Sequence, residues 1–99
     1  MSDNYFEQAA AEGKVVLLDF GAKWCGTCKG VDRLLEQDVL PRKGDRVLTV
    51  KVDIDEQPDL AEKYRILSVP TLVVCSPQGE VLWHKSGFVG RQEVEAALA

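Results

Sequence analysis

Residues 15–20, Val15-Val16-Leu17-Leu18-Asp19-Phe20, are apolar on both alternating faces. A strand with that pattern runs through the middle of a sheet and must be covered on both sides. Gly21 and Ala22 follow, and the periodicity then changes: Cys28, Val31, Leu35 and Val39 form one helical stripe within residues 25 to about 40. A buried strand feeding an amphipathic helix predicts a layered α/β arrangement, and the rest of the chain supports it.

The first twelve residues fit a helix, with Phe6, Ala9 and Ala10 at i, i+3 and i+4 and Gly13 ending the run. Pro41, Gly44 and Asp45 are expected to break the long helix. Val47-Leu48-Thr49-Val50-Lys51-Val52 has the β-branched character of a second strand. Pro58 suits the first turn of a short helix to about Tyr64, where its missing N–H is not needed. Thr71–Cys75 predicts a third strand, Ser76-Pro77-Gln78-Gly79 a turn, and residues 80–85 the returning strand of a hairpin. Gly90 or its predecessor opens a last helix with Val94 and Leu98 on one side. The expected order is α-β-α-β-α-β-β-α: a four-stranded mixed sheet flanked by helices on both faces.

A chain of 99 residues is expected to form one domain, residues 1-99, with no room for a second that carries a cofactor. The formal net charge is −4, and Lys and Arg are scattered singly, which argues against nucleic acid. The longest wholly apolar run, residues 15–18, is far short of a membrane span. Met1-Ser2-Asp3-Asn4 is not a signal-peptide start, so the expected location is the cytoplasm. A domain whose leader had been removed would begin in the same way.

Cys25-Gly26-Thr27-Cys28 carries the chemistry. Two residues between cysteines at a helix start leave Cys25 in the first turn, facing solvent, and Cys28 one turn further in. The unpaired N–H groups and the positive end of the helix favour a thiolate at Cys25. A thiolate attacks a disulfide, and the neighbouring thiol then displaces the mixed intermediate. The spacing permits a Cys25–Cys28 disulfide, and so a two-electron couple without a cofactor. A half zinc site could use the same pair, but only Cys75 and His84 remain as further ligands and they form no paired motif. Cys75 closes an apolar strand and suits a core position. His84 suits the surface, and Trp83 is a candidate partner contact.

The stretch Asp19-Phe20-Gly21-Ala22-Lys23-Trp24-Cys25-Gly26-Thr27-Cys28-Lys29 resembles the thioredoxin active-site segment. Val52-Asp53-Ile54-Asp55-Glu56-Gln57-Pro58 resembles the family's middle strand and its exit, and Ser68-Val69-Pro70-Thr71 its cis-proline loop. Gly79 and Gly87 fall where the family has glycines at the hairpin turn and beside the substrate groove. The resemblance implies that Cys25 is the nucleophile and Cys28 the resolving thiol. It implies that Trp24 packs against the site and shields it, and that Val69-Pro70 is a cis peptide whose Val69 backbone pairs with an extended substrate. Gly26, Thr27 and Gly87 complete the implied substrate-binding set.

Asp19 ends a strand otherwise apolar on both faces, so it is expected to be buried with a raised pKa and able to exchange a proton. Lys51, on the register face of Val47 and Thr49 in the neighbouring strand, is its expected partner. The resemblance implies that this acid assists deprotonation of the resolving thiol.

Three departures stand out. Thr27 replaces the family's usual proline, adding an N–H near the sulfurs. Gly21 replaces the usual tryptophan, thinning the apolar cover. The family's first edge strand has no counterpart, which leaves the strand at residues 47–52 as an edge. The resemblance implies a thiol–disulfide oxidoreductase that reduces protein disulfides and is recharged by a thioredoxin-reductase-type donor. Its rivals are an oxidase, isomerase or reductase relay of the same superfamily, and a redox-dependent binding module. No nucleic acid, membrane or metal partner is expected. The protein should be a monomer with a weak tendency to pair through the edge.

Overall fold

In the computed structural model, which describes residues 4–87 and 89–98, β1 (Val15–Gly21) lies inside a four-stranded sheet of order β2-β1-β3-β4. It pairs in parallel with β2 (Val47–Asp53) and antiparallel with β3 (Thr71–Cys75). β4 (Val81–Ser86) returns antiparallel to β3, so the sheet is mixed as expected. Five consecutive residues of β1, from Val16 to Phe20, are buried.

Alternation along β1 sorts these side chains into two cores. Leu17 joins Leu72 and Val74 of β3 beneath α2 (Gly26–Leu34) and α5 (Arg91–Ala97), which supply Val31 and Val94. Val16, Leu18 and Phe20 face the other way, toward Ala9 of α1 (Asn4–Glu12) and Leu60 of α4 (Pro58–Lys63). Each fully buried Leu, Val or Phe contributes about 1.5–3 kcal/mol of hydrophobic burial. The helices therefore cover both faces of the sheet. None among the described residues is long and apolar enough to cross a membrane.

Several expectations need correction. Ala10 is exposed, and α1 packs through Tyr5, Phe6 and Ala9; residues 1–3 of the expected helix lie outside the described residues. The long helix does not stop at Pro41. It passes through a π-helical segment, Leu35–Val39, into α3 (Leu40–Lys43) and a 3-10 turn, Gly44–Arg46. Leu40 N–H bonds to Leu35 O, five residues back, so Pro41 falls in the first turn of a new α segment, where no N–H is missed. Glu80 belongs to the turn, because Ser76 N–H donates to its carbonyl at 2.8 Å. Gly79, at φ +95°, closes that turn in a conformation other residues rarely adopt. Trp83 is half-buried against the α2–α5 core, while His84 is exposed and Cys75 fully buried.

Candidate active site

The same alternation turns Asp19 and Gly21 of β1 toward α2, and the parallel register sets Lys51 beside Asp19 and Asp53 beside Gly21. Phe20 pairs with Thr71 at the start of β3, so Pro70 arrives at this end of the sheet too. Here β1 turns into α2.

Cys25 is the N-cap of α2, and its carbonyl-side neighbours begin the helix. Its Sγ accepts the backbone N–H of Cys28 at 3.2 Å, one of the orphan donors of the first turn. Cys25 and Cys28 are joined as a disulfide, with Cα atoms 5.3 Å apart. Cys25 retains 7% exposure and Cys28 4%, so the solvent-facing nucleophile expected from the sequence is in fact nearly covered. Thr27 N–H is not the donor to this sulfur; that of Cys28 is.

Trp24, next to Cys25 in the chain, is 69% exposed, and its indole N–H donates to Asp55 Oδ2 at 2.9 Å. Asp55 is held in turn by its own N–H on Asp53 Oδ1, and Ile54 N–H ties the same loop to Gly21 O. On the other side Val69-Pro70 is a cis peptide. Gly87 N–H donates to Pro70 O at 2.8 Å, and Thr71 Oγ1 donates to Ser68 O, which fastens this loop to both hairpin strands. Val69 is half-buried, and Leu67, two residues before it, is 96% exposed.

Asp19 is 3% exposed, and neither carboxyl oxygen has a hydrogen-bond partner among the described residues. Burial pushes its pKa up to about 8; the Asp32 carboxylate beside it adds to the rise, and the Lys51 charge opposes it. The expected Asp19–Lys51 contact is not made. Lys51 Nζ lies 3.2 Å from Glu36 Oε1 and 3.5 Å from Asp32 Oδ2. A cavity of about 220 Å³ is walled by Asp19, Gly21, Cys28, Asp32 and Lys51, so the buried acid and the inner cysteine share one space. That volume admits water, which can carry a proton between them. Among the described residues, no three His, Cys, Asp or Glu side chains come together as a group that could hold a metal ion.

A family model described as Thioredoxin matches residues 1–99. The chain belongs to the thioredoxin family. Thioredoxin from Bacillus subtilis is 39% identical over 94 residues, spanning 95% of this chain and 88% of that one. Among solved structures, a thioredoxin variant from Halobacterium salinarum superposes with a TM-score of 0.80 at 28% identity, over 99% of this chain and 83% of that one. The bifunctional thioredoxin reductase/thioredoxin of Mycobacterium leprae is 32% identical over 71 residues, 72% of this chain and 15% of its own length. With its cysteine pair joined at a helix start, this thioredoxin-family chain is a thiol–disulfide oxidoreductase.

Sequence reasoning missed Asp32, Glu36 and Asp55. The first two carried a signal: Cys28, Asp32 and Glu36 follow at four-residue steps, which aligns them on one side of a thioredoxin-type helix. Asp55 lies 31 residues from Trp24, and nothing local announces that contact.

Proposed function

We propose that the protein reduces disulfides in other proteins, with Cys25 as nucleophile and Cys28 as resolving thiol. The observation that carries this reading is the N-cap position of Cys25, whose sulfur already accepts a helix N–H and would keep that donor as a thiolate.

In the reduced protein the Cys25 thiolate attacks one sulfur of the substrate disulfide. A mixed disulfide forms and the first substrate thiolate leaves, taking a proton from solvent. Cys28 then gives its proton to the Asp19 carboxylate through the shared cavity and attacks Cys25 Sγ. The mixed disulfide breaks, the second substrate thiolate leaves, and the Cys25–Cys28 disulfide closes. Two electrons pass to the substrate. When a donor reopens the disulfide, protonated Asp19 returns the proton to Cys28. An acid near 8 suits this exchange, because a free cysteine titrates near 8.5. Lys51 acts on Asp19 through its charge.

Trp24, Gly26, Thr27, Val69, Pro70 and Gly87 form the substrate-binding rim, with the Val69 backbone pairing to an extended segment. The electron donor is a thioredoxin-reductase-type enzyme, a pairing supported by the Mycobacterium leprae relative's name, which joins the two activities. A reducing compartment such as the cytoplasm suits a buried free thiol at Cys75.

Insulin reduction with excess dithiothreitol tests the direction, and substrate trapping tests the roles. Cys28→Ser should accumulate mixed disulfides and Cys25→Ser none. Equal trapping by both variants would reverse or dissolve the assignment, and no turnover of insulin would favour a redox-dependent binding module.

A further inference from the structure

Four-residue spacing aligns Cys28, Asp32 and Glu36 on the side of α2 and its π-helical continuation that faces β1 and β2. Across from them stand Asp19 and Lys51, paired in register. Opposite charges side by side on adjacent strands ordinarily pair with each other. Here the Lys51 ammonium lies instead at 3.2 Å from Glu36 and 3.5 Å from Asp32, and the two Asp19 oxygens stay buried without a hydrogen bond. Asp32 also lines the cavity that Asp19 and Cys28 share.

We infer that Asp32, with Glu36 behind it, is a positioning residue that holds the Lys51 ammonium away from Asp19 and so governs proton exchange between Asp19 and the Cys28 sulfur. This rests on the reading of Asp19 as the proton partner of Cys28. A carboxylate beside Asp19 disfavours a second negative charge there, and a cation drawn aside favours that charge less than a paired one would. Both push the same way, toward a protonated Asp19. The Asp32 side chain keeps 30% exposure, so water partly screens it, but it lies 3.5 Å from the cation and on the wall of the buried acid's cavity. The other charges on the cavity wall are Lys23, Lys29 and Asp53, while β3 opposes Asp19 with the uncharged Leu72.

The test follows the Asp19 carboxyl directly, by carbon-13 NMR of aspartate-labelled oxidised protein from pH 4 to 10, with Asp19→Asn to assign the signal. Asp32→Asn should lower the Asp19 midpoint by about one pH unit or more, and Glu36→Gln should lower it by less. Single-turnover reduction of insulin across the same range should show its pH midpoint moving down with Asp32→Asn. A helix lesion that merely weakened packing would lower the rate at every pH and leave the midpoint alone. If both variants leave the Asp19 midpoint within about 0.3 unit of its original place, the inference fails. It fails too if the carboxyl midpoint moves in Asp32→Asn and the rate profile does not. If Asp19→Asn keeps the wild-type pH–rate profile, the proton-partner reading itself is overturned, an outcome distinct from the first. Glu36 is largely exposed, so Glu36→Gln keeps the test in force should Asp32→Asn not fold.

Discussion

A Cβ added at Gly21 would stand 3.3 Å from both the Cβ and the Sγ of Cys28. That is tighter than ordinary contact, so one of the two must give. In the disulfide form Cys28 is pinned to Cys25 and can give little. In the dithiol form its sulfur is free to rotate away. Gly21→Ala should therefore disfavour the oxidised form and make the couple more oxidising, by roughly 10–30 mV for a crowding cost near 0.5–1.4 kcal/mol. Equilibration with glutathione measures it. A shift toward more reducing values would mean that the added methyl packs on the disulfide rather than crowding it.

Asp19 makes stability depend on pH in an unusual direction. In the unfolded chain it titrates near about 4, and in the folded protein burial first, then Asp32, raise it to about 8. Between those values the folded state holds a proton that the unfolded chain has lost. Stability from this group is thus complete below about 4 and declines as pH rises toward 8, by up to about 1.4 kcal/mol per unit. Asp19→Ala removes that slope along with an unpartnered buried carboxyl, and should raise stability at pH 7 by roughly 1–3 kcal/mol. Urea unfolding at pH 5, 7 and 9 checks both statements. A variant less stable than wild type at pH 9 would contradict them.

Thr27→Pro acts on the thiolate rather than on the disulfide. Cys25 Sγ already takes its hydrogen bond from Cys28 N–H, and that bond survives the substitution. A full negative charge on Cys25 draws on the remaining N–H groups of the first turn, and proline removes one of them. The couple should become more reducing, by no more than about 30 mV. An unchanged potential would show that the Cys28 donor alone serves the thiolate.

No strand pairs with the outer side of β2 among the described residues. Tyr5, Phe6, Leu48 and Val50 pack against the same core on one face of this strand. Lys51 bears on this: its charge is more than half exposed rather than turned into the core, and a lysine on an edge discourages pairing. Sedimentation velocity of the reduced protein should show a monomer at micromolar concentration with slight self-association at higher load. A tight dimer would identify the edge as an interface.

The strands were legible because burial dictated them. Thr71–Cys75, with all five residues buried, could be bounded to the residue. β4 slipped by one position because an irregularity at Val74/Cys75 and the Ser76–Glu80 bond lengthen the turn. Pro41 misled because proline ends an α-helix, whereas a π-helical turn lets the chain restart beyond it. The cysteine pair was plain from its spacing. The partner of Lys51 was not, since three carboxylates lie within its reach and only the packing of α2 against β2 selects among them. Trp24 stands outward for a like reason, since its partner Asp55 belongs to another segment.

The third cysteine gains meaning from where the sheet places it. Cys75 pairs with Val16, at the opposite end of β1 from Gly21, which abuts Cys28. Five residues of extended chain put roughly 16 Å between those ends. Cys75 also belongs to the core beneath α1 and α4, with the sheet itself intervening, and burial keeps its thiol above the ordinary cysteine range. A molecule that trades disulfides for a living thus carries a spare sulfur quarantined from its own chemistry. Burial and distance keep Cys75 out of the dithiol's exchanges, and an odd cysteine count becomes harmless within the chain.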